Sequence, residues 1–189
     1  MSSESTSRSE LFLKGAATYL DALAALEAFQ QEVEAMCTKV YSRHKDRILS
    51  AMGLDGDGGF ERYVDGDPAE RWATLGIRRG TQKSGLNGPC FHLYVCFGES
   101  EDGTKEIEAT VWLDCSSSRR TRDDIYDQIR RKKPRCRMTK DDEGTYYSLH
   151  LETPIKLDEL SSLPGVLSSV VLEWIDYCES IGGLNLRAR

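Results

Sequence analysis

Three hydrophobic periodicities follow one another along the chain. In the first fifty residues Phe12, Tyr19, Leu26, Val33 and Val40 recur every seven positions, with Ala22, Phe29 and Met36 in companion positions. A repeat of this kind is the stripe of a helix that packs along its length. Ser7 followed by Glu10 has the form of a capping box, so a long helix is predicted from there to about Met52. About forty helical residues span roughly 60 Å, more than the width of a small sheet. Either the helix bends or breaks, with Gly15 its weak point, or its free end pairs with a second chain.

The middle of the chain alternates with period two. Cys90–Phe97 lies between Gly88-Pro89 and Gly98, with Phe91, Leu93, Val95 and Phe97 on one face and Cys90, His92, Tyr94 and Cys96 on the other. Trp72–Arg79 precedes it across a basic, Gly-rich turn. Glu106–Asp114 follows it, with Ile107, Ala109, Val111 and Leu113 opposite Glu106, Glu108, Thr110 and Trp112. Short turns between three such runs make an antiparallel meander. Two further strands are predicted at Arg135–Lys140 and Tyr146–Glu152, joined by the turn Asp141-Asp142-Glu143-Gly144.

Helical spacing returns twice. Thr121 with Asp124 starts a short helix that Pro134 stops. Near the end, Pro164 suits a first helical residue, Leu167, Val170, Val171, Trp174, Cys178 and Ile181 form an apolar stripe, and Gly182-Gly183 close it. The expected fold is therefore α+β: a curved, mainly antiparallel sheet of about five strands, in the order helix, three strands, helix, two strands, helix. The expected divisions are a long helix over 1–54, an Asp/Gly-rich connection over 55–70, the sheet with its inserted helix over 71–155, and a C-terminal helix over 156–189, all in one domain.

Composition narrows the function classes. The 189 residues carry a formal charge of -6. That balance argues against a protein held globally on nucleic acid or anionic membrane. No apolar run reaches membrane-spanning length, and the polar start of the chain has no signal-peptide character, so the expectation is a cytoplasmic protein without a membrane partner. Six scattered cysteines without Cys-x-x-Cys spacing read as reduced thiols. One stretch departs from the acidic average. From Arg119 to Lys140 there are ten basic residues against three acidic, so this segment carries +7 and the remainder -13. Ser117, Ser118, Arg119, Arg120, Arg130, Arg131, Lys132 and Lys133 are its candidate contacts to an anion or to nucleic acid.

Candidate chemistry is thin. With Asp55 as first ligand of a calcium loop, Phe60 falls where the turn needs Gly and Gly66 where a bidentate Glu is needed. Lys83-Ser84 lacks the upstream glycines of a phosphate loop. Cys90 and His92 share a strand face, but two ligands are not a metal site, and no cofactor is expected. Cys115 before a Ser-rich loop and arginines resembles the layout of the protein tyrosine phosphatases. Their signature places Arg six residues after the Cys, where this chain has Thr121. The order of elements is similar to the core of the restriction-endonuclease-like fold, but Gly88-Pro89-Cys90 and Glu106-Ile107-Glu108 stand where that family has its strand Asp and its Glu-x-Lys. The full order also resembles the type III secretion chaperones, by arrangement alone.

The residues point first to a non-enzymatic protein-binding, adaptor or chaperone-like module. Its partner is another protein or a second copy, met through the N-terminal helix or through an aromatic and polar sheet face of His92, Tyr94, Glu108, Trp112, Tyr146 and His150. The alternative is a nucleic-acid-binding accessory protein using 119–140. A degenerate nuclease-like or phosphate-handling enzyme comes third.

Overall fold

The computed structural model describes residues 3–54, 56–67, 71–82, 85–114, 137–140 and 147–184. Helix α1 spans Ser3–Met52. Among the described residues six strands follow: β1 Phe60–Asp67, β2 Trp72–Gln82, β3 Gly85–Glu99, β4 Lys105–Asp114, β5 Arg137–Lys140 and β6 Tyr147–Pro154. A short 3-10 turn at Leu157–Ser162 leads into α2, Leu163–Ser180. The chain divides into two compact units, Met1–Glu32 and Val33–Arg189.

The α+β class holds, with one strand more than expected. The sheet runs β1-β2-β3-β4-β6-β5, and every neighbouring pair is antiparallel. The additional strand, β1, lies inside the segment read as an Asp/Gly-rich connection. As an edge strand it binds through its backbone to β2 and leaves Phe60 and Val64 exposed, so it needs no apolar face of its own. Strand β3 begins earlier than Cys90 and passes through Pro89. Its ladder with β2 shifts register between Gly80 and Gln82, beside the residue that has no N–H to offer, and its ladder with β4 ends at Cys90. The helix expected over 121–133 and the turn at 141–144 lie outside the described residues.

One face of the sheet carries the core. Leu75 and Ile77 of β2, Phe91, Leu93 and Val95 of β3, Ile107, Val111 and Leu113 of β4, and Leu149 and Leu151 of β6 are all buried. The second half of α1 and the whole of α2 cover them. Tyr41 of α1 and Trp174 of α2 meet the ring of Phe91 at 5.7 and 5.4 Å. Across the helix pair, His44 reaches Ser168 at 3.0 Å, and Arg47 bonds Asp176 at 2.9 Å. Both helices end in the same cap. Gly53 (φ 67°) donates to Ser50 and Leu54 to Leu49, while Gly182 (φ 92°) donates to Glu179 and Gly183 to Cys178. The left-handed backbone at these caps suits glycine.

The packed stripe of α1 differs in phase from the heptad reading. Val33 and Val40 are buried as expected, but Cys37, Tyr41, Ile48 and Met52 accompany them, and Met36 is only half-buried. Four-then-three spacing from Val33 selects Cys37, whereas three-then-four selects Met36. The sheet takes the first. Burial, with Glu34 adding to it, pushes the Cys37 thiol up to about 12, so it is a packing residue.

Candidate functional site

Strand register arranges the second face of the sheet in rows. One row reads Tyr63, Gly76, Tyr94, Thr110, Glu152; the next reads Glu61, Arg78, His92, Trp112, His150; a third reads Asp65, Thr74, Cys96, Glu108. The sequence-derived group of His92, Tyr94, Glu108, Trp112 and His150 therefore shares this face, and Tyr63 joins it from the unforeseen strand. Tyr146 lies outside the described residues.

The centre of this face is closed. His92 is 4% exposed, Tyr94 8% and Thr110 2%, whereas Glu108, Trp112 and His150 are half-buried. The rings pack on one another: His92 on Trp112 at 5.1 Å and 25°, Tyr63 edge-on to His92 at 5.2 Å, and Tyr63 against Tyr94 at 5.5 Å. Among the described residues neither nitrogen of His92 has a hydrogen-bond partner. Burial, with the nearby Arg78 charge, pushes the imidazole down to about 3, so it is neutral and behaves as an aromatic packing residue. Thr74 and Cys96 bond at 3.4 Å, and His150 lies 3.7 Å from Glu152.

Metal-ligand types are dispersed by the same register. Trp112 stands between His92 and His150, which puts those residues two strand spacings, roughly 10 Å, apart. No cluster of three His, Cys, Asp or Glu that could hold a metal is found among the described residues. The Asp/Gly-rich segment resolves differently again. The Asp57 carboxylate accepts from Arg79 at 2.5 Å and from Tyr41 at 3.0 Å, with Lys45 at 3.4 Å. Arg79 in turn lies over the rings of Tyr41 and Phe60, at 5.1 and 5.0 Å. Asp57 is thus surrounded by the protein's own cations and pins its loop to α1 and β2. Burial of the Tyr41 phenol, with the Asp57 charge beside it, holds that group protonated well above its usual range. Sequence reasoning missed this cluster because its members are far apart in the chain and none sits in a motif.

The first unit presents the opposite situation. Every residue from Glu10 to Ala28 is exposed, and among them Leu11, Phe12, Leu13, Tyr19, Leu20, Leu23 and Leu26 are 43–76% accessible. Over residues 10–32 four carboxylates, Glu10, Asp21, Glu27 and Glu32, accompany a single cation, Lys14. Among the described residues no helix is long and apolar enough to cross a membrane.

Cys115, Ser117, Ser118, Arg119, Arg120, Arg130, Arg131, Lys132 and Lys133 all lie outside the described residues. No protein-family model, curated protein or solved structure matches the chain.

Proposed function

We propose that this chain is a non-enzymatic protein-binding module and that its binding element is the α1 segment 10–32. One observation carries this: seven large apolar side chains stand in water along that segment, while the rings of the sheet face are packed against each other. Monomeric proteins seldom expose a contiguous apolar patch above a few hundred Å². Burying such side chains stabilises a complex by on the order of 1 kcal/mol each or more, which offsets the cost of association when several act together. The acidic balance of the segment disfavours an anionic lipid surface, for which amphipathic helices carry Lys and Arg on their polar side.

Hydrogen exchange tests the proposal. Most helical stability in proteins comes from packing, so the amides of an unpartnered helix exchange far faster than those of a packed one. The backbone amides of 10–32 are expected to be strongly protected in the protein as it exists in its cells, cross-linked and recovered. Free-peptide exchange rates for 10–32 in that setting, with the sheet protected, overturn the proposal.

A further inference from the structure

Resting on that proposal, we infer that the partner is the same segment of further copies of this chain, and that three or more α1 segments associate as a bundle. The breadth of the apolar surface leads there. Phe12, Ala16, Tyr19, Leu23 and Leu26 follow four-then-three spacing, the spacing on which Val33, Cys37 and Val40 are buried. That is one seam. Leu13, Ala17, Leu20 and Ala24 follow the same spacing about 100° further round the helix, since each residue advances by that angle. That is a second seam. Leu11, Gly15, Ala22 and Phe29 lie about 100° to the other side. Strongly polar residues other than Glu27 and Gln30-Gln31 are left with one narrow line, Glu10, Lys14, Thr18, Asp21 and Glu32.

A two-stranded coiled coil buries a single narrow seam. Here it would cover Phe12, Tyr19 and Leu26 and leave Leu13 and Leu20 in water, at 66% and 63% exposure. A helix that is apolar over most of its circumference is one with neighbours on both flanks. Identical helices in a ring supply that arrangement, because each flank meets the opposite flank of the next copy and the set closes. Area and charge agree. The seven exposed side chains leave on the order of 800 Å² in water at roughly 200 Å² for a full side chain, about what one partner buries in a stable interface. Glu10, Asp21 and Glu32 lie on the line opposite the first seam and so fall on the outside of such a bundle, away from their counterparts. Glu27 and Gln30-Gln31, which interrupt the seams, mark its end near Leu26.

The test is the mass of the purified full-length chain in solution, by light scattering and native mass spectrometry over micromolar to submillimolar concentrations. The expected species contains three or four copies. Phe12→Ser with Tyr19→Ser is expected to give a monomer, and Leu13→Ser with Leu20→Ser a dimer held by the remaining seam. A dimeric wild type, or a Leu13/Leu20 variant that keeps the wild-type mass, overturns the bundle. A monomeric wild type also overturns it, and exchange in the cellular material then separates two cases: protected 10–32 amides keep the binding proposal with a different protein as occupant, and unprotected ones remove both. The mass of the wild type decides the matter without the variants.

Discussion

The imidazole of His92 lies flat on the indole of Trp112, 5.1 Å between ring centres, and among the described residues makes no hydrogen bond through either nitrogen. A histidine used in this way is stable only while neutral. Its folded value is pushed down to about 3 from an ordinary 6.5, so between those limits the unfolded chain binds the extra proton. Stability is therefore complete above about pH 6.5 and is lost as pH falls towards 3, by about 1.4 kcal/mol per pH unit at most. His44, lowered by burial and by Arg43 and Arg47, acts in the same direction. Comparison with His92→Phe isolates the sheet histidine. Urea unfolding from pH 7 to pH 4 should show a much flatter pH dependence in the variant, and identical slopes would contradict a neutral, unpaired His92.

Gly76 sits between Tyr63 and Tyr94 in the register, and a Cβ there runs into the backbone of Leu93 and Tyr94. Gly76→Ala should cost about 2–4 kcal/mol, since neither obstacle is a movable side chain. Gly98→Ala, with open space around its Cβ, serves as the control and should change stability by less than about 1 kcal/mol. Equal melting temperatures for the two variants would rule out the close approach of β2 and β3.

The Asp57 cluster yields a coupling. Asp57→Asn removes the charge that Arg79 and Lys45 share and should destabilise by about 1–3 kcal/mol. Arg79→Met should cost a similar amount, and the double variant less than the sum, with an interaction energy of at least about 1 kcal/mol. Additive effects in the cycle would mean that the pair does not hold the loop.

The basic run supports the competing proposal of nucleic-acid binding by its charge alone. Under that proposal, retention on duplex or single-stranded nucleic acid falls steeply with salt and disappears when Arg130, Arg131, Lys132 and Lys133 are changed to Glu. Wild-type protein that flows through both matrices at low salt eliminates it.

Much of the second unit was legible before any coordinates. Phe91, Leu93 and Val95 alternate with His92 and Tyr94 because successive strand side chains point to opposite faces, and the residues from Leu167 to Cys178 repeat as a helix face does. Strand β1 was not legible. Edge strands are held by backbone hydrogen bonds that every residue can make, and its Asp and Gly residues resemble a loop. The Asp/Gly-rich stretch around Asp57 fails as a calcium loop and reads as a connection, since a carboxylate does not reveal which distant cations of the chain will reach it.

By itself the sequence determined the periods: two along the strands, seven along α1, and the apolar stripe of α2. Those follow from the geometry of a strand or a helix acting on one segment at a time. Only the tertiary structure decided which side of each element is covered. It put Cys37 rather than Met36 against the sheet, closed His92 and Tyr94 into an aromatic layer, and left Phe12, Leu13, Tyr19 and Leu20 in water. Burial is a property of what arrives from elsewhere in the chain, and no local period encodes it.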